Sequence, residues 1–283
     1  MIQKKPTIAI CYDFDGTLSP GCMQEYSFMR ALGEDPKKFW HKAHILAEKQ
    51  QADDIASYMQ LMLDECNKKG LEPTQEAFRF YGKGVPLYKG VESWFKRINQ
   101  YADKKGVKVN HYIISSGLKE MIEGTKIAKN FHKIYASSFM YDKKGLAVWP
   151  AVVLNYTSKT QFLFRINKGC EDITDNTSVN QYVPTKDRPV PFKNIIYIGD
   201  GETDIPCMKM INQHGGHAVA VYHPDKESAR QTAQKLVHDN RVNIALPADY
   251  SVRQPIEKYV QAVIDKIVAD TQIEKYENIY CQE

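Results

Sequence analysis

Five short apolar runs punctuate the chain: residues 7–12 (TIAICY), 107–114 (VKVNHYII), 194–198 (NIIYI), 217–222 (HAVAVY) and, more weakly, 242–246 (RVNIA). Runs of this length with little polar alternation are the pattern of strands buried on both faces. The first three stop abruptly at polar clusters: Asp13-Phe14-Asp15-Gly16, Ser115-Ser116-Gly117 and Gly199-Asp200-Gly201. Helical stretches fall between and after the runs, at 91–105, 118–129, 159–168, 226–238 and 254–269. Strands alternating with helices predict an α/β fold built on a doubly wound parallel sheet. Such sheets gather their ligand sites at the carboxyl ends of the strands, where these polar clusters fall.

Residues 20–87 break the alternation. Asp35-Pro36 reads as the N-cap and first position of a helix through Gln50. Asp53 or Asp54 opens a second helix to Lys69, stopped by Gly70, and Thr74 caps a third. The stretch carries no strand pattern. It predicts a small all-helical cap domain at 20–87, inserted after the first strand and its loop, with the core formed by 1–19 and 88–283. An insert there lies over the carboxyl ends of the strands and is placed to act as a lid. Residues 134–157 hold two apolar runs around Asp142-Lys143-Lys144-Gly145, the signature of a β-hairpin. Residues 170–193 are polar, with three prolines, and read as a long loop. A helix that starts at the site ends at the opposite edge of the sheet, so this loop is expected there, away from any chemistry.

Composition narrows the class. The 283 residues allow about two domains. With 43% hydrophobic and 25% charged residues the chain is not disordered, collagen-like or mucin-like. A formal charge of +4, spread without clusters, announces neither a nucleic-acid binder nor a membrane-surface binder. Six cysteines (Cys11, Cys22, Cys66, Cys170, Cys207, Cys281) stand far apart with no C-x-x-C pair, which predicts reduced thiols. Residues 1–6 lead into no apolar h-region, and the longest apolar run, Leu146 to Leu154, is far short of the about 20 residues that span a bilayer. The expectation is a soluble, cytoplasmic protein.

The candidate chemistry sits at the strand ends. Asp13 and Asp15, two residues apart, point the same way if the strand continues, and like charges that close need a proton, a hydrogen bond or a cation. The ordinary alternative is a turn rich in Asp and Gly. Gly199-Asp200-Gly201-Glu202-Thr203-Asp204 repeats the theme after a second strand; glycines on both sides of Asp200 admit a ligand, and a helix cap at Asp200 or Thr203 is the plainer reading. Carboxylates brought to one corner on neighbouring strands suit Mg²⁺, which prefers oxygen ligands. Ser115, ahead of Gly117, is placed to meet an anion at the start of the next helix. Lys159, after the N-cap candidate Ser158, stands in a first helical turn, where a phosphate would offset its repulsion with the helix dipole. Taken singly, Ser115 is an ordinary cap and Lys159 a solvated lysine.

Taken together, the order Asp-x-Asp-Gly-Thr, strand-Ser, Lys, Gly-Asp-Gly-x-x-Asp resembles the haloacid dehalogenase-like superfamily, over residues 7–19 and roughly 88–250. The insert at 20–87 is placed like that family's first-type cap, and the hairpin before Lys159 is similar to the phosphoserine phosphatase-like branch. The resemblance implies a Rossmann-like core and a Mg²⁺-dependent phosphatase that acts on a small phosphorylated metabolite through an aspartyl-phosphate. It implies Asp13 as nucleophile and Asp15 as acid/base. Ser115 and Lys159 would hold phosphate. Asp13, the backbone carbonyl of Asp15 and Asp200 would hold Mg²⁺, with Asp204 supporting the metal shell. An acid at Asp15 favours phosphoester hydrolysis or phosphoryl transfer over dehalogenation. A phosphotransferase or mutase of the same fold, and a catalytically idle scaffold, are the alternatives. The chain departs from the phosphoserine phosphatase pattern at Gly16, usually Ser, and at Cys22, usually a substrate-binding Glu; the nearest acid is Glu25. Both departures argue against phosphoserine as substrate.

Other features have plainer readings. His41 and His44 share a helix face with Trp40 and lack a third metal ligand. Glu25, Tyr26 and Arg30 face either cleft or solvent. Cys22 reads as an apolar filler, and Gly82-Lys83-Gly84 as a turn where the cap rejoins the core.

Overall fold

The computed structural model describes residues 5–280; Lys4 and Cys281 lie outside them. Seven strands form one sheet: β1 (Thr7–Tyr12), β2 (Lys108–Leu118), β3 (Lys133–Tyr141), β4 (Ala147–Val152), β5 (Ile195–Gly199), β6 (His217–Tyr222) and β7 (Ile244–Pro247). Their order is β4-β3-β2-β1-β5-β6-β7. All neighbours pair parallel except β3 and β4. β1 is central, and its side chains alternate between two cores as the period of two requires. Ile8, Ile10 and Tyr12 face one core and Ala9 and Cys11 the other. The switch in chain direction falls between β2, β1 and β5, so the ends of these strands frame the crevice where doubly wound sheets bind ligands.

Ten α-helices fall within the described residues. The insert contributes α1 (Ser27–Leu32), α2 (Pro36–Gln50), α3 (Asp54–Lys69) and α4 (Gln75–Gly82). The core contributes α5 (Val91–Lys104), α6 (Lys119–Glu123), α7 (Thr160–Lys168), α8 (Ile205–Gln213), α9 (Glu227–His238) and α10 (Pro255–Tyr280). α5 and α10 supply Trp94, Phe95, Ile98, Val260 and Ile264 to one side of the sheet; α7, α8 and α9 supply Phe162, Met208 and Leu236 to the other. The cap signals work as read. Asp35 accepts the Lys38 N–H at 3.0 Å, Asp53 the Ile55 N–H at 2.8 Å, and Thr74 the Ala77 N–H at 3.0 Å. Gly70 ends α3 at φ 65°, the left-handed conformation that suits glycine.

Five local expectations are corrected. β2 runs on to Leu118, through a register shift between Ser115 and Leu118, because β3 keeps pairing with it. The helix expected at 118–129 shrinks to the five residues of α6 and a 3₁₀ turn at Ala128–Asn130. The hairpin forms, but its first strand also pairs parallel with β2 and so belongs to the main sheet. Ser158 does not start the helix of Lys159. A 3₁₀ turn, Tyr156–Lys159, opens at Asn155, whose N–H donates to Ser158 Oγ at 2.7 Å, and Lys159 caps α7. The last helix continues past 269 to Tyr280.

Residues 170–193 pack against the carboxyl end of α7. The Arg165 guanidinium, buried, donates to the carbonyls of Asp172 (2.7 Å) and Asp175 (3.0 Å), and Lys168 to that of Val179 (2.7 Å). α4 is fastened against α6 and β3. Gly82 of α4 lies so close to Met121 of α6, and Gly124 so close to Arg79 of α4, that a Cβ at either would run into a backbone carbonyl. Phe78 stacks on Phe139 with centroids 5.5 Å apart.

Candidate active site

β1 delivers the first acid. The Asp13 N–H donates to the Ile198 carbonyl at 2.9 Å, which extends the β1–β5 pairing by one residue and fixes Asp13 at the strand end. The chain then turns at Gly16, with φ +73°. A Cβ there would run into the Asp200 carboxylate, so only glycine lets this loop approach the end of β5. Asp15 Oδ1 accepts the Met23 N–H at 2.9 Å, which ties the loop to the first turn of the insert.

Neighbouring elements bring the remaining groups. Ser115 lies in β2, buried; its Oγ accepts the Gly117 N–H at 3.1 Å and its hydroxyl bonds the Asp13 carboxylate. Lys159 is fully buried. Its Nζ stands 3.2 Å from Asp13 Oδ1, 3.2 Å from Thr203 Oγ1 and 2.8 Å from Asp204 Oδ1. The Tyr197 hydroxyl donates to the same Asp204 oxygen at 2.7 Å. Asp13, Asp200 and Asp204 each offer an oxygen, all within 4.8 Å of one another. Thus the six residues singled out in the sequence converge. Tyr197 was missed, because a tyrosine inside a strand run reads as core; Thr203 was read only as a cap.

Electrostatics sets the charges. Burial pushes the Asp13 carboxyl up to about 6, against the pull of Lys159. Burial and the charge of Asp13 hold Asp15 well above the carboxylate range; burial, Asp13 and Asp204 do the same to Asp200. Burial alone would depress Lys159, but Asp13 and Asp204 outweigh it and hold the ammonium above its ordinary value. Three converging carboxylates therefore share one ammonium, and Asp204 Oδ2 is buried without a hydrogen-bond partner. An all-oxygen donor set with uncompensated negative charge fits Mg²⁺.

The strand ends and the insert enclose a cleft of about 540 Å³. On the insert side, the Trp40 indole N–H donates to Glu25 Oε1 at 2.7 Å, and the Tyr58 hydroxyl to the Ser116 carbonyl at 2.8 Å. Of the candidates on the insert, Glu25 lines the cleft, while Tyr26 and Arg30 do not. Cys22 lines it too, with a thiol that burial holds up and protonated. His41 and His44 are exposed, and His44 pairs with Glu48 (3.4 Å) and Asp54 (3.6 Å). Gly82-Lys83-Gly84 is the turn that ends α4. The five described cysteines are free thiols. Among the described residues, no helix is long and apolar enough to cross a membrane.

The family model of the haloacid dehalogenase-like hydrolases matches residues 10–209. The chain belongs to that family. This hydrolase is 29% identical over 278 residues to an uncharacterised protein of Borreliella burgdorferi, with 89% of this chain and 94% of that one covered. A solved hydrolase of the family from Salmonella enterica serovar Typhi superposes with a TM-score of 0.53 at 17% identity, covering 86% of this chain and 68% of its own. A phosphoserine phosphatase solved as a phospho-aspartyl intermediate analogue gives 0.50 at 14% identity, covering 85% and 93%. At such identities the likeness is one of fold: this hydrolase shares its fold with phosphoserine phosphatase.

Proposed function

We propose that this hydrolase is a Mg²⁺-dependent phosphatase that cleaves a small phosphate monoester through an aspartyl-phosphate on Asp13. One observation carries the reading: a buried carboxylate, Asp13, held by the buried Lys159 ammonium, opens on a cleft beside Asp15 and the Asp200–Asp204 pair. Asp13, the Asp15 carbonyl and Asp200 would hold the ion, with Asp204 behind them. Bound there, Mg²⁺ supplies the positive charge that lets an anionic nucleophile and an anionic phosphate approach.

The chain's own residues do the rest. Ser115 and Lys159 take phosphate oxygens and hold the ester in line with Asp13. An Asp13 oxygen attacks phosphorus; the P–O bond to Asp13 forms as the bond to the leaving alkoxide breaks. Asp15, kept protonated by burial and by the charge of Asp13, gives its proton to that alkoxide. It then takes a proton from a water that attacks the same phosphorus. The bond to Asp13 breaks, inorganic phosphate leaves and Asp13 is restored. The fold shared with an enzyme trapped as a phospho-aspartyl analogue supports this order of events.

The test is phosphate release from p-nitrophenyl phosphate. Turnover is expected with Mg²⁺ and not with EDTA, and Asp13→Asn should lower it by about 10³-fold or more. Substantial activity in a verified, folded Asp13→Asn preparation removes Asp13 from this role.

A further inference from the structure

Two residues of β5 seat the Asp204 carboxylate. It packs back on Gly199, where a Cβ would run into it, and its Oδ1 accepts the Tyr197 hydroxyl at 2.7 Å. Tyr197 and Asp204 are both fully buried. The partners of Tyr197 in register on β1 and β6 are Cys11 and Ala218, small residues that leave room for the ring. A phenylalanine would fill the same space; what the hydroxyl adds is the bond to Asp204.

That bond matters because the same oxygen has a second donor. Lys159 Nζ lies 2.8 Å from Asp204 Oδ1, and 3.2 Å from both Asp13 Oδ1 and Thr203 Oγ1. One ammonium thus stands between two carboxylates, nearer to Asp204 than to Asp13. A hydrogen bond to a carboxylate disperses part of its charge and fixes its orientation. With the Tyr197 hydroxyl in place, Asp204 is held still and draws on Lys159 less. Without it, Lys159 alone meets the charge on that oxygen and is pulled away from Asp13. Misplacing a group at the reacting centre by about 1 Å can cost ~10²-fold in rate.

We infer that Tyr197 is a positioning residue for phosphoryl transfer: its hydroxyl holds Asp204 Oδ1 and, through it, sets the Lys159 ammonium against Asp13. The inference rests on the phosphatase reading and adds a residue to its machinery. Tyr197 does not line the cleft, so it acts only through the two side chains in front of it.

The experiment measures kcat and KM for p-nitrophenyl phosphate, with Mg²⁺, in the unaltered chain and in variants whose melting temperatures show them folded at the assay temperature. Tyr197→Phe removes the hydroxyl and keeps the ring. Tyr112→Phe is the matched control. Tyr112 is buried in the same core and donates to Glu171 Oε1 at 2.7 Å, and Glu171 does not line the cleft. Each change deletes one buried hydroxyl bonded to a carboxylate. In Tyr197→Phe, kcat should fall about tenfold with KM within about threefold, because Ser115 still receives the phosphate while its alignment with Asp13 is lost. In Tyr112→Phe, kcat should stay within about twofold. A second comparison removes the ammonium: kcat of Lys159→Met should be the same with and without Tyr197→Phe, since the hydroxyl has nothing left to act through. An unchanged kcat in Tyr197→Phe, a loss expressed in KM alone, an equal loss in Tyr112→Phe, or a further loss in the Lys159→Met background overturns this inference and leaves the phosphatase reading standing. No Mg²⁺-dependent hydrolysis by the unaltered chain overturns the phosphatase reading, and this one with it.

Discussion

Asp200 stands where burial and the carboxylates of Asp13 and Asp204 push its own carboxyl well above the usual range. An acid whose value is raised on folding contributes stability that is present at low pH and lost as pH rises through the folded value. Ionising Asp200 therefore costs the metal-free protein stability. Asp200→Asn is expected to raise the melting temperature in EDTA by about 2–4 °C, what ~1 kcal/mol is worth at this size. It should also abolish Mg²⁺-dependent phosphate release. A lower melting temperature in EDTA would contradict the balance of charges described here. Asp200 was singled out in the sequence because Gly-Asp-Gly-x-x-Asp closes the order of four motifs that carries the resemblance. Tyr197 was not, because a tyrosine inside a strand looks like core until its hydroxyl is seen to reach Asp204.

Two elements make separable predictions. α4 and α6 meet through glycine on each side, so the insert is clasped to the core at that point. Gly124→Ala forces a methyl group into the Arg79 carbonyl and should cost about 1–3 kcal/mol, read as a lower denaturation midpoint with an unchanged slope. A neutral result would mean that the two helices are free to part. The loop at 170–193 is tied to the end of α7 by Arg165 and Lys168, and none of its residues lines the cleft. Replacing 174–187 with a short Gly/Ser linker should leave kcat for a small substrate nearly unchanged. Because Arg165 is buried and loses the Asp175 carbonyl, the same change should cost about 1–3 kcal/mol of stability. A well-folded variant with a large loss of kcat would show that the loop reaches the chemistry.

Across the whole molecule, pH and metal act on opposed groups. His111 is buried in a hydrogen-bonded chain in which Trp94 donates to the Tyr12 oxygen, Tyr12 bonds His111 Nδ1 and His111 Nε2 bonds Asn99. Burial lowers it from 6.5 to about 3, so its contribution is complete above about 6.5 and is lost as pH falls towards 3. Asp13 runs the other way. Raised from 3.8 to about 6, its contribution is complete below about 3.8 and lost as pH rises through about 6. Mg²⁺ held by Asp13, as proposed, would compete with protons for that carboxylate and stabilise the folded state only where it is charged. Calorimetry with and without EDTA should therefore show a larger Mg²⁺-dependent rise in melting temperature at pH 8 than at pH 5. An equal rise at both would place the ion away from Asp13.

The sequence alone determined the alternation of strands and helices, the caps of α2, α3 and α4, and the family, because these depend on local periodicity, on side chains bonding the backbone within a few residues, and on the order of short motifs. Tertiary structure decided the rest. β2 outlasts its apolar run because a neighbour strand keeps pairing with it, and pairing partners are not written in local sequence. Lys159 becomes a fully buried ammonium, where its sequence neighbours suggested a solvated lysine, because two other segments, the ends of β1 and β5, supply Asp13, Thr203 and Asp204. Glu25 enters the cleft, and Arg30 five residues on does not, because the Trp40 indole from another helix holds the first and nothing in the periodicity distinguishes them. Which side chains share a site is a long-range matter, fixed only when elements distant in sequence pack together.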